Sequence, residues 1–586
     1  MKKIINRPED IVPEMCHGLI LASPGLKWNS HYKVVSRASL NPDKVTLISG
    51  GGSGHEPAHA GFVGPGMLDA AVCGDVFASP SQIQVYQALR QTQGNKGALL
   101  IIKNYSGDMM NFKNAAFLAQ EDGILVDYVK VDDDIAVQDS LYTVGRRGVA
   151  GTIFVHKIAG AAAERGYALS RVKELAQRAA DHVKTIGFAE TSCTVPAKGT
   201  PTFQLGEEEI EYGVGIHGEP GRSREPLASA DVLARRMTGQ LLSELGLDRE
   251  QKAEIALLIN GLGATPAQEL YVLNHSVRQI LAEYPGIQVV CSLVGNYMTS
   301  IDMAGVSVSI LKLDSELKEL LFDSCKTVAW TMDGPQSPVP YVPLAGKEEP
   351  AAEVDDKIQT DPAWAVIHGD ELTLSNLIYI VDAMSACIIR NEQAFCELDS
   401  FAGDGDFGMS VAKGFRQLKR EWNSLTAQGV TLEQFLFQAS MIIMEYCGGA
   451  SGPIWGAGFR AAGRYCQGKD SLSKREFAGM LAAVVQGIQA TGERSFGRGA
   501  QVGDKTLMDA LIPCAQVWQE KAGTELTVLQ LFQEGARASV EGAKSTEKIV
   551  ARMGRAGTVG ERSLGYPDAG AHALGVIFTE LAGQLS

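Results

Sequence analysis

The chain has 586 residues, 45% hydrophobic and 21% charged, with a formal net charge of −15. This apolar content supplies several cores and excludes a mainly disordered chain, and about 150 residues per domain predicts three to four domains. The negative charge, with no clustered basic face, excludes a nucleic-acid binder. In chain order, MKKIINRPED lacks the apolar core of a secretory signal. Strands are predicted over 45–49, 98–103, 124–131, 255–260, 287–294 and 306–313, with helical patterns between them, which is the texture of α/β layers. The stretch 190–217 is rich in strand and turn residues, and a boundary near 185 divides 1–185 from 186–332. Residues 333–364 hold six prolines and seven acidic residues against two lysines, the composition of a semi-rigid linker.

From 365 to 586 the texture is helical, with periodic segments over 371–394, 408–423, 431–446, 473–490, 505–522, 527–540 and 570–583. No strand pattern stands out, so this part reads as an all-α bundle with its functional residues clustered at one end. Lys413, Arg416, Lys419 and Arg420 read as one solvated helix face. Ten cysteines, none in a Cys-x-x-Cys pair, read as reduced and mostly buried thiols, and point to a cytoplasmic protein. No run of about 18 apolar residues marks a membrane span.

Four motifs carry chemistry. The first strong strand runs into Gly50-Gly51-Gly52-Ser53-Gly54-His55, where glycines let backbone N–H groups approach a ligand at a strand's carboxyl end. A second strand ends in Lys103, followed by Asp108; a lysine and a histidine nearby would keep Asp108 ionised and usable as a base. In GVGIHGEPG, alternation at Tyr212, Val214 and Ile216 predicts a strand ending at His217, an open imidazole able to act as nucleophile or base. His55 and His59 mimic zinc-helix spacing, but Pro57 breaks the helix that would align them. In LDSFAGDGDFG, Asp399, Asp404 and Asp406 precede a helix starting near Gly408; three close carboxylates favour a hard cation, and the helix end a phosphate. The run Asp132–Asp134 reads as an acidic surface turn. Gly-rich junctions at 447–459 and 554–571 add further bundle-end loops, the latter with Arg555 and Arg562 for phosphate oxygens. Neither a P-loop nor a Rossmann fingerprint is present.

Taken together, GGGSGHEP, KNYSGD, GIHGEPG, LDSFAGDGDFG, GGASGP, GDKT and GRAGTVGERSLGYPDAGA resemble, in order and over essentially the whole chain, the single-chain ATP-dependent dihydroxyacetone (glycerone) kinase family. The resemblance implies a two-subdomain α/β unit for the ketone and a C-terminal barrel of about eight antiparallel helices for ATP and Mg²⁺. It implies that His217 forms a covalent hemiaminal with the ketone and that His55 and Asp108 act as acid–base partners. Gly52, Ser53, Gly54 and Lys103 would line the substrate pocket. Asp399, Asp404 and Asp406 would hold Mg²⁺. Phe407, Gly408, Met409, Ser410, Ala450, Ser451, Gly499, Thr506, Leu507, Arg555, Asp568, Ala569 and Gly570 would line the nucleotide. It further implies a cytoplasmic homodimer and leaves open a four-carbon ketose such as erythrulose, or a lyase activity that forms cyclic FMN from FAD.

Overall fold

The computed structural model describes residues 2–138, 145–344, 354, 356–553 and 560–586. The chain divides once, into Met1–Ala345 and Gly346–Ser586, rather than into three or four pieces. That single division falls inside the proline-rich 333–364 stretch.

The first unit holds two six-stranded sheets. Strands β1 (Leu26–Asn29), β2 (Val34–Arg37), β3 (Thr46–Ser53), β4 (Ala70–Val76), β5 (Ala98–Lys103) and β6 (Val126–Val131) are ordered β1-β2-β4-β3-β5-β6. β3 is parallel to both β4 and β5, and β5 to β6. All eight residues of β3 are buried; a parallel strand covered on both faces reads as a continuous apolar run, which is why VTLIS stands out. The chain leaves β3 for β4 on one side and reaches β5 on the other. The carboxyl ends of β3 and β5 therefore flank a topological switch point, where α/β sheets bind ligands.

The second sheet contains β7 (Val183–Ala189), β8 (Glu209–Tyr212), β9 (Ser223–Pro226), β10 (Ala253–Gly261), β11 (Ile287–Gly295) and β12 (Gly305–Leu313), ordered β11-β10-β12-β7-β8-β9. The boundary placed near 185 falls inside β7. The two sheets share one core: Leu47 and Ile101 of the first and Ala256 and Leu311 of the second belong to one apolar cluster with Ile153, Ile158 and Leu175. Those last three sit on the helices Thr152–Glu164 and Leu169–His182. Local composition changes little where one core serves both sheets, so the boundary is not sharp in the sequence. The Asp132–Asp134 run is also not a surface turn. Asp133 and Asp134 are buried; Asp133 accepts from the Val149 and Gly151 N–H groups at 2.8 Å, and Asp134 pairs with the buried Arg147 at 2.6 Å.

The second unit is a closed ring of eight helices: Leu374–Arg390, Phe407–Arg420, Leu432–Tyr446, Ser451–Tyr465, Lys474–Phe496, Met508–Lys521, Val528–Ser545 and Ala569–Gln584. Each packs on the next, and the last packs on the first. The junction at 447–459 is mostly helix, because its glycines bring helices close rather than breaking them: a Cβ at Gly456 would collide with Met444. One short strand pair does occur, Glu371–Thr373 with Ser471–Ser473.

The two ends of the ring differ in how they satisfy helix N–H groups. The first, third, fifth and seventh helices start at one end, and each is closed by a capping box from Thr373, Thr431, Ser473 or Thr527. The other four start at the opposite end behind Asp406, Ala450, Leu507 and Asp568. Only Asp568 caps its helix through its side chain; the other three give no side-chain cap.

Lys419 is not solvated. It is fully buried against Asp382 at 2.9 Å, and Asp382 also accepts from the Gln359 and Thr360 N–H groups at 2.6 and 2.8 Å. A helical charge periodicity cannot distinguish a solvated lysine from one whose partner comes from another helix. Asp382→Ala would leave the Lys419 charge unpaired in the core. Unfolding of the second unit is expected about 3–5 kcal/mol easier, read by denaturant titration.

Candidate functional site

In the first unit the β3 turn and the β5 end meet as their register requires, with Ser49 beside Ile101. Gly52 has no room for a side chain: a Cβ there would lie 2.7 Å from the Ala78 N. The Ser53 hydroxyl donates to the Gly74 carbonyl at 2.7 Å, and the Gly54 N–H donates to the Glu56 carboxylate at 3.0 Å. His55 is not a surface residue but fully buried. Its Nδ1 lies 2.8 Å from the Thr299 carbonyl, which can only accept, so Nδ1 carries the proton. The segment holding Thr299 is tied on by Ile301 N–H to the Gly54 carbonyl at 2.8 Å.

His55 Nε2 meets His217 Nε2 at 3.1 Å. β8 stops at Tyr212, short of the predicted strand, because Gly213 turns at φ +77°. His217 therefore sits in a tight loop, its ring edge-on to Tyr105 at 4.5 Å and to Phe77 at 5.1 Å. Phe77 also stacks on His55 and holds φ +59°, a strained value of the kind that clusters at functional sites. Burial, with the nearby Lys103 charge, pushes His55 well below the usual imidazole range. It is thus a neutral proton acceptor through Nε2.

Lys103 and Asp108 join this cluster. A Cβ at Gly51 would lie 3.3 Å from Asp108 Oδ2 and 3.5 Å from Lys103 Nζ, so both side chains converge there. Both are buried, and Ser79 Oγ donates to Asp108. Lys103 Nζ has no hydrogen-bond partner among the described residues. Burial outweighs Lys103 and Ser79, and the carboxyl is raised, which strengthens it as a base. His59 lies apart, facing His156 at 3.0 Å. Phe77, Tyr105, Thr299 and Glu219 were not singled out from sequence. Tyr105 and Glu219 carried a signal, as parts of the KNYSGD and GIHGEPG motifs.

In the second unit a cleft opens at the end of the ring where three of four helices lack a side-chain cap. Asp399, Asp404 and Asp406 offer ligand oxygens within 4.8 Å of one another. The Asp399 carboxylate takes the Gly405 N–H at 3.0 Å, while burial, with Asp404 and Asp406 adding to it, pushes its pKa up. Three converging hard oxygens fit Mg²⁺. The cleft is lined by Asp399, Asp404, Asp406, Phe407, Ser410, Ala450, Ser451, Thr506, Leu507 and Asp568 to Gly570. The starts of four helices thus border one space, where N–H groups and helix dipoles favour anions. Gly408 instead lies against the Glu392 carbonyl at a helix crossing, Met409 is exposed, and Gly499 packs on Gln489; none lines the cleft. Arg555 lies outside the described residues.

Lys505, which sequence reasoning passed over, also lines the cleft. It is buried at φ +61°, and its ammonium donates to the carbonyls of Thr546 at 2.7 Å, Tyr566 at 2.8 Å, Ile549 at 3.3 Å and Ser563. It is an internal cation on which two loops of the cleft floor converge.

Fold and sites together define a sugar kinase built in two units. Residues 17–329 match the family model described as the Dak1 domain and residues 401–583 the DAK2 domain, so the chain belongs to the dihydroxyacetone kinase family. The dihydroxyacetone-binding subunit DhaK of PTS-dependent dihydroxyacetone kinase 1 from Listeria innocua is 49% identical, over 56% of this chain and all of its own. The L-erythrulose 1-kinase of Mycolicibacterium smegmatis is 33% identical over the whole of both chains. The crystal structure of the dihydroxyacetone kinase from C. freundii in complex with AMP-PNP and Mg²⁺ is 31% identical, covers 99% of each chain and has a TM-score of 0.59. Among the described residues, no helix is long and apolar enough to cross a membrane.

Proposed function

We propose that this chain transfers the γ-phosphoryl group of ATP to a hydroxyl of dihydroxyacetone, with the ketone held as a hemiaminal on His217. The observation that carries this reading is the 3.1 Å contact between His217 Nε2 and a buried, neutral His55. The His217 Nε2 proton first passes to His55 Nε2, which frees the Nε2 lone pair. That lone pair bonds to the carbonyl carbon as the C=O π bond breaks, and His55 Nε2 returns the proton to the carbonyl oxygen, so every proton is accounted for. Glycerol has no carbonyl to capture, so discrimination rests on bond formation rather than size. Asp108, with its carboxyl raised, accepts the proton of the attacking hydroxyl, and Lys103 lies beside it.

In the second unit Asp399, Asp404 and Asp406 would hold Mg²⁺, which when bound neutralises phosphate charge as the phosphoryl group transfers. The three helix starts without side-chain caps, behind Asp406, Ala450 and Leu507, would take the phosphates. The full-length relative named L-erythrulose 1-kinase favours a second reading with the same mechanism, a four-carbon ketose as substrate.

ADP release with ATP and Mg²⁺, measured against dihydroxyacetone, both erythrulose enantiomers, glyceraldehyde and glycerol, tests the reading. Turnover on ketones but not glycerol is expected, with relative kcat/KM naming the substrate; equal turnover on glycerol would overturn carbonyl capture. Asp404→Ala should lose ATP-dependent turnover yet still capture the ketone. Normal turnover in that variant would sink the metal assignment.

A further inference from the structure

The motif around His217 places a buried carboxylate beneath it. Gly218 turns at φ +75° and its N–H donates to the Gly215 carbonyl at 3.2 Å, so the chain doubles back. Glu219 then lies under its own neighbour. Its Oε2 accepts the His217 backbone N–H at 2.8 Å, and its Oε1 faces His217 Nδ1 at 3.6 Å. The glycine at 215 leaves space for this, because a Cβ there would collide with the Glu219 carboxyl. Glu219 is buried, and Oε1 has no hydrogen-bond partner among the described residues. An unpartnered buried carboxylate oxygen is costly unless it serves a purpose. Burial would raise this carboxyl, but His217 and the Arg147 guanidinium outweigh it and hold it at about 2.

The two rings constrain their protons. His55 Nδ1 donates to Thr299, one proton lies between the two Nε2 atoms, and His217 Nδ1 faces an acceptor-only carboxylate. The charges of Lys103, Asp108 and Glu219 act on the two rings, and that of Arg147 on Glu219.

We propose that Glu219 is a positioning residue of the ketone site: its carboxylate orients the His217 ring through Nδ1 and keeps a proton there, so that Nε2 is the atom presented to the carbonyl carbon. This rests on the hemiaminal reading above. The role is that of an acceptor-only group that fixes a histidine tautomer, as carboxylates do for nucleophile-activating imidazoles. A proton held on Nδ1 also makes the adduct's C–N bond easier to break: after phosphorylation the hemiaminal O–H gives its proton to His55 Nε2, the C=O bond re-forms, and the ring leaves as a neutral imidazole.

The test uses the full-length chain with ¹⁵N-labelled histidine and ¹³C2-labelled dihydroxyacetone. In the wild type, ¹³C NMR should show the ketone carbon shifted to an sp³ adduct. Glu219→Gln keeps the backbone acceptor at nearly the same size but removes the charge. It is expected to retain its melting temperature, to change the His217 Nδ1 and Nε2 ¹⁵N shifts, and to lower kcat by about 10²-fold or more with little change in KM. Glu219→Asp should recover part of the loss. If Glu219→Gln is unstable, Gly215→Ala displaces the carboxylate without removing it and should reproduce the ¹⁵N change. An adduct in the wild type with unaltered ¹⁵N shifts and kcat in the variants would overturn the role of Glu219 alone. No adduct in the wild type would overturn the hemiaminal reading and this inference with it.

Discussion

His217→Ala is expected to abolish covalent ketone capture and to lower kcat/KM for short ketoses by about 10²-fold or more, the scale of a lost tether and misplaced substrate. The ring lies at the edge of the apolar core: it sits between Tyr105 and Phe77 with its Nε2 on His55, in a loop rather than a strand. Removing it should leave the fold intact, so the melting temperature should move little. The ¹³C adduct signal should vanish, and selectivity against glycerol should collapse, because the remaining contacts distinguish polyols only by hydrogen bonding. Full activity with retained selectivity would show that His217 is not the capturing group. His55→Ala should be milder in binding but slow adduct formation, since it removes the acceptor for the Nε2 proton.

Lys505→Met is expected to have the largest effect on the second unit. The three N–H groups of Lys505 are shared among the carbonyls of Thr546, Ile549, Ser563 and Tyr566, in two loops also joined by the Gly565 N–H to the Glu547 carbonyl at 2.9 Å. Methionine matches its length but donates nothing. Each buried carbonyl left without a donor costs about 1–3 kcal/mol. A loss of several kcal/mol and a lower melting temperature for this unit are expected, read by calorimetry. Nucleotide binding, followed by titration with AMP-PNP and Mg²⁺, should be lost with it, because Asp568 and Thr506 line the same cleft. Ketone capture by the first unit should persist. A variant that binds the nucleotide normally and melts at the wild-type temperature would show that the hub is dispensable.

Much of this molecule was legible in its sequence because the signals are local. The run VTLIS marks a strand covered on both faces, and the glycines after it mark backbone packed too tightly for side chains. Helical periodicity beyond residue 365 marks amphipathic faces, and the closeness of Asp399, Asp404 and Asp406 follows from a spacing of seven residues with Gly403 and Gly405 between them. The capping boxes at Thr373, Thr431, Ser473 and Thr527 are equally local. What sequence could not supply were relations between distant residues: Lys419 with Asp382, Asp134 with Arg147, His55 with His217, and Lys505 with four carbonyls 41 to 61 positions away. Each is a buried polar group whose partner comes from another element, and burial, unlike periodicity, depends on which elements pack together. Chain composition and spacing therefore determined the families of strands and helices and the chemistry available. Only tertiary packing decided that a lysine on a charged helix face is buried, that burial raises the Asp108 carboxyl, and that three of the four helix starts at one end of the ring have no side-chain cap, where anions can bind.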